Sequence, residues 1–124
     1  MITAKLKPPN SLIFVMDPSS GQLPESLGSS SVTSTLTSLA IGTLSEVDGE
    51  TQLILGSLDD GGHRTAPDLA LRWSGEIETS GSVAIVSAEN LVILEVSSEA
   101  TAVIQIWSND EFEPDLVCVL VGGP

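Results

Sequence analysis

Residues 82–107 carry three apolar runs, at 83–86, 91–96 and 102–107, separated by the short polar breaks 87–90 and 97–101. The runs are rich in Val and Ile and bounded by Ser, Asn and Glu, which is the pattern of consecutive strands in a meander. The first two are apolar on both parities: Ala84 and Val86 against Val83 and Ile85, then Leu91 and Ile93 against Val92 and Leu94. A strand apolar on both faces is covered above and below. This stretch is expected to form the core, with the rest of the chain wrapped around it.

Residues 1–10 read as a short extended lead, stiffened by Pro8 and Pro9, which block helix. A first strand at 12–16, apolar on both parities, stops at Asp17-Pro18, and 17–31 reads as a Ser, Gly and Pro-rich loop. Residues 32–47 form a long strand or a strand pair. Its larger apolar residues change parity after Ser38, which predicts a bulge or a bend between sheets. Asp48-Gly49 predicts a tight hairpin turn with positive φ, and 52–58 returns as the partner strand.

The clearest break is DDGGHRTAP at 59–67. Beyond it, Leu69, Leu71, Trp73 and Ile77 share one parity, with Ala70, Arg72, Ser74, Glu76 and Glu78 on the other, as in a strand with one wet face. Residues 108–114 (SNDEFEP) form an acidic loop, and 116–121 a last strand buried on both faces. The pattern nowhere carries a helical period, the best segment, 24–31, being too short and too rich in serine. Residues 1–124 therefore read as a single all-β domain. It is an antiparallel β-sandwich or partly open barrel of about eight strands, with little or no helix.

Charge changes the picture most. The 17 acidic residues outnumber the 4 basic ones, for a formal net charge of −13. Lys5, Lys7, Arg64 and Arg72 are too few and too scattered to neutralise a phosphate backbone, so nucleic acid is not an expected partner. Anionic membranes would repel the same surface, and no apolar run reaches the length of a transmembrane helix or a signal-peptide core. Cys118, the single cysteine, lies in the last apolar run. A lone buried thiol fits an inert core position in a reducing compartment, so the chain reads as soluble and cytoplasmic.

Catalytic chemistry finds little support. His63 is the one histidine, and neither an activated serine nor a Gly-x-Ser-x-Gly elbow accompanies it; a solvated loop histidine is the reading. Carboxylate pairs such as Asp59/Asp60, Glu76/Glu78 and Glu111/Glu113 have the chemistry for glycoside hydrolysis. Yet Trp73 and Trp107 fall on apolar parities suited to core packing, and tyrosine is absent. Asp59, Asp60 and His63, and the cluster Asn109, Asp110, Glu111 and Glu113, match neither an EF-hand nor a zinc pattern. No enzyme activity, cofactor or metal is expected.

In size, charge and want of catalytic motifs the chain is similar to small acidic inhibitor or immunity proteins, which block a basic enzyme, often a nuclease. That likeness implies a non-catalytic binding module that neutralises or sequesters a basic protein partner such as a nuclease toxin. The expected contact residues are Asp110, Glu111, Phe112 and Glu113, where one aromatic side chain is set among acids, followed by Asp59 and Asp60 and the turn at 46–50. The alternative is a scaffold or decoration subunit, or a homodimer. It would associate through strand edges or faces, using the Thr/Ser-rich strand at 32–44 and the Val-rich last strand.

Overall fold

The computed structural model describes residues 1–19, 32–60 and 69–123, with only the backbone of Asp60. The predicted loop 17–31 and the break at 59–67 fall largely outside these residues, as do His63 and Arg64. Among the described residues there are ten strands: β1 (Ile2–Leu6), β2 (Leu12–Met16), β3 (Val32–Ser34), β4 (Ser38–Gly42), β5 (Thr51–Ser57), β6 (Ala70–Glu78), β7 (Ser82–Ser87), β8 (Val92–Ser97), β9 (Thr101–Ser108) and β10 (Leu116–Gly122). They form two five-stranded sheets, ordered β1-β5-β10-β9-β6 and β3-β4-β2-β7-β8. The described residues contain no α-helix, only single 3-10 turns at Pro9–Ser11 and Leu58–Asp60. Of the two all-β forms that the apolar pattern allows, sandwich or partly open barrel, this is the sandwich. It has ten strands among the described residues where about eight are expected, because the lead adds β1 and the 32–47 segment divides into β3 and β4.

Between the sheets lies one core, with Ile13, Val15, Leu39, Ile41, Val83 and Ile85 from one side and Leu53, Leu55, Ile104, Ile106, Val117 and Val119 from the other. The strands apolar on both parities also bury their outer faces. Phe14, Met16, Ala40, Ala84 and Val86 form a second cluster outside one sheet. Ile54, Cys118 and Leu120 form a third outside the other, with Leu58 and Trp107 packed against it. A Cβ on Gly122 would come within 2.6 Å of Leu58 Cδ1, so the small residue there makes room for Leu58 to fold over the sheet.

Several expectations are corrected. β7 and β8 form a hairpin, but β9 lies in the opposite sheet, so 82–107 is not a meander. β8 is an edge strand with Val92 half exposed, because no strand lies beyond it. The parity change after Ser38 marks a hairpin between β3 and β4, closed where Thr35 N–H donates to the Ser38 carbonyl at 2.8 Å. Asp48-Gly49 has its positive φ, +145° at Gly49, yet the segment carries the chain from one sheet to the other instead of closing a hairpin. β5 and β10 run parallel, the one such pair among the described residues, whose other strand pairs are antiparallel.

Two further differences concern edges. The lead contains β1, which pairs with β5 from Ile2 opposite Leu55 to Leu6 opposite Thr51. In β6 the register against β9 shifts between Leu71 and Trp73. That bulge splits the predicted apolar stripe: Leu71 sits opposite Trp107 on the outer face, whereas Trp73 sits opposite Ile106 and packs on the central core. β10, expected to offer a free edge, lies between β5 and β9, and the long Thr/Ser strand reduces to the three-residue edge β3.

A candidate docking end built from three loops

Strand directions decide which loops meet. β5 and β10 both start at one end of the sandwich, and Ser108, the last residue of β9, lies there opposite Val117. β4 finishes at the same end: just beyond it, Leu44 N–H donates to the Pro114 carbonyl at 3.0 Å, and Gln52 N–H donates to that of Asp115 at 2.8 Å. Gly42 is paired with Leu12, and the neighbouring Ile13 with Ser87, the last residue of β7. Three acid-bearing loops therefore share this end, 43–50, 88–91 and 109–115, together with the β1–β2 connection 7–11, whose Ser11 carbonyl accepts the Thr43 N–H at 2.8 Å.

The loop 109–115 holds four of the predicted contact residues. Asp110 Oδ2 accepts the N–H groups of Phe112 at 3.0 Å and Glu113 at 2.8 Å, a turn of the type Asp forms with its own chain. Those two bonds hold its carboxyl below the usual carboxylate range, with a smaller contribution from the charge of Arg72. Ser108 Oγ donates to the Asp110 carbonyl at 2.8 Å, and Arg72 Nε donates to that hydroxyl at 3.1 Å. Asn109 Oδ1 accepts the Leu116 N–H at 3.2 Å, and Pro114 is buried. With its base so pinned, the loop presents Glu111, Phe112 and Glu113 to solvent, Phe112 being 64% exposed. The aromatic ring does not fold back onto a sheet edge.

The turn at 46–50, a secondary expectation, joins this end with Glu46, Asp48 and Glu50 all exposed and Val47 87% exposed. Asp59 does not join it. It follows β5 at the opposite end, roughly 17 Å away by the rise of a strand between Gln52 and Ser57. The Asp60 backbone lies beside it, and the Asp60 side chain is outside the described residues. The break at 87–90 is expected from the sequence, but its place in the site is not: Glu89 and Leu91 are exposed here, whereas Leu91 reads as the first residue of an apolar run. Lys5, Lys7 and Arg72 also lie towards this end, Arg72 being bound to Ser108.

No group of three or more His, Cys, Asp or Glu is placed to hold a metal ion among the described residues. A cleft of about 260 Å³ lies where β1 and β8 approach, lined mainly by Met1, Ile2, Leu55, Val96 and Val121, without a carboxylate, histidine or thiol. Trp73 and Trp107 are half-buried and pack against apolar clusters. Asp17, expected in a loop, is buried. Its carboxylate accepts the N–H and hydroxyl of Ser19, both at 2.8 Å, and the N–H and hydroxyl of Ser80, tying the end of β2 to the β6–β7 turn. Among the described residues no helix is long and apolar enough to cross a membrane. Comparison with family models, curated proteins and solved structures found no match to this chain.

Proposed function

We propose that the protein is a non-catalytic binding module whose three-loop end docks a basic protein partner, in the manner of an acidic inhibitor. The observation that carries this reading is the convergence of the 46–50 turn with the 109–115 loop. Carboxylates from two distant parts of the chain share one end with an exposed aromatic side chain. A field of that sign steers a cationic partner and speeds encounter, while a desolvated aromatic group sets the lifetime of the complex. The chemistry of the partner follows from charge; a basic enzyme such as a nuclease is one such partner.

Association through strand edges is the weaker reading. The edge strands are β1, β3, β6 and β8. β3 is three residues long, β1 carries the exposed Lys5, β8 carries Glu95 and β6 carries Glu76 and Glu78 along with a bulge. Short edges, charges and bulges are the features that keep sheets from pairing edge to edge.

The test is affinity capture from a lysate of the source organism at low and high salt. It uses the wild type, a triple variant Asp110→Lys, Glu111→Lys, Glu113→Lys, and a far-end control Asp59→Lys, Glu99→Lys. A basic protein retained at low salt by the wild type and the control, and lost by the triple variant, is the expected result. Equal retention by both variants contradicts the assignment of this end.

A further inference from the structure

Each of the three loops presents one large apolar side chain near acids: Val47 and Phe112 each lie between two, and Leu91 follows Glu89 by two residues. In Glu46-Val47-Asp48 the Val47 N–H donates to Ser45 Oγ at 3.4 Å. In Glu89-Asn90-Leu91 the Leu91 N–H donates to Ser87 Oγ at 3.3 Å. In Glu111-Phe112-Glu113 the Phe112 N–H donates to Asp110 Oδ2 at 3.0 Å. The exposures are 87% for Val47, 59% for Leu91 and 64% for Phe112. The opposite end also exposes apolar side chains, Met1 and Ile2 on the edge strand β1 and Leu36 in a turn, but none of them lies between two acids in the chain as Val47 and Phe112 do.

Exposed side chains of this size cost solvation unless something covers them, and scattered ones are ordinary. Here they recur one per loop, at one end, on turns whose own hydrogen bonds fix the backbone beneath them. A backbone already held in place loses little entropy on binding, so the contacts made by these side chains count more fully towards affinity. The end of a five-stranded sandwich spans roughly 20 Å, the width of a helix and its side chains with margin.

We infer that Val47, Leu91 and Phe112 are apolar anchors for a cationic amphipathic segment of the partner, one with an apolar stripe flanked by Lys or Arg. This rests on the proposed docking of a basic protein and adds the second half of the partner's chemistry. The carboxylates on both sides of Val47 and Phe112, and Glu89 two residues from Leu91, match the flanking cations. They equally disfavour a second copy of this chain and an anionic membrane, which repel.

The probes are two labelled synthetic peptides of equal charge: an amphipathic Leu/Lys helix of about five turns, and the same peptide with Ser for Leu. Binding is read by fluorescence anisotropy over a salt series. The amphipathic peptide is expected to bind the wild type about tenfold or more tighter than the Ser peptide. The variant Val47→Ser, Leu91→Ser, Phe112→Ser is expected to abolish that margin while keeping the salt slope. All three sites are exposed, and the near-ultraviolet signal of Trp73 and Trp107 verifies that the variant is folded. Equal binding of the two peptides, or a margin that survives the triple Ser variant, overturns the anchor assignment and leaves the electrostatic docking standing. Failure of both peptides to bind at low salt overturns the docking reading itself. A wild-type dimer in sedimentation that the Ser variant dissolves also overturns the proposal and assigns the anchors to self-association.

Discussion

Asp17 shows how much one carboxylate does when it is buried with partners. Burial alone pushes its pKa up; the hydrogen bonds from Ser80 and Ser19 outweigh that and hold it far below the ordinary carboxylate range. Because the folded-state value is depressed, the stabilisation is complete above the unfolded value of about 3.9 and is lost as pH falls below it. Asp17→Asn keeps the shape but turns an amide towards groups that donate, and is expected to cost about 2–4 kcal/mol at neutral pH. Urea titrations from pH 7 to pH 3 check both points: the gap between wild type and variant should be full at pH 7 and shrink below pH 4. A difference under about 0.5 kcal/mol at pH 7 would remove Asp17 from the account. The thiol of Cys118 behaves in the opposite direction. Burial pushes it up to about 11. At pH 8 it should resist a disulfide reagent in the folded protein and react within the mixing time in denaturant; rapid reaction of the folded protein would contradict its burial.

At the scale of elements, β6 is set by a bulge and a glycine. The bulge turns Trp73 inward, and its ring occupies the space above Gly75, where a Cβ would lie 2.6 Å from Cη2 and 2.8 Å from Cζ2. Gly75→Ala must displace the indole, at an expected cost of about 1–3 kcal/mol. Chemical denaturation measures the loss, and a shift in tryptophan emission shows that the ring has moved; an unchanged spectrum and midpoint would contradict this packing. The strand itself was legible from period-2 alternation at 69–78, but the bulge was not. It redistributes Leu71 and Trp73 between faces without altering the order of residue types. Likewise β2 and β10 were legible as strands buried on both faces, whereas β8, with the same composition, lies at an edge. Composition reports what a strand can bury, and sheet order decides what it does bury.

For the whole molecule, the all-β class follows from the runs and breaks, because Val and Ile at short spacing with turn residues between them fit little else, whereas sandwich against partly open barrel was not legible. Which turns close hairpins and which cross between sheets was not legible. The turn at 46–50 and the break at 97–101 look local in sequence, yet both join different sheets. The candidate site was half legible for the same reason. Its acids and Phe112 stand out in the chain, but only the fold brings Val47 and Leu91 to the same end and sends Asp59 to the other. Acids occur over much of the surface, so net charge alone accounts for solubility and repulsion. Docking needs more: carboxylates together with apolar groups on a fixed frame.

The most direct measurement is the association rate of the captured basic partner, followed by stopped flow across a salt series. It compares the wild type with the charge-reversed variants of the near and far ends. Slowing by about tenfold or more in the near-end variant, with a flattened salt dependence and little change in the far-end control, is the predicted result. If both variants slow the reaction equally, attraction belongs to the overall charge, and the three-loop end has no special role.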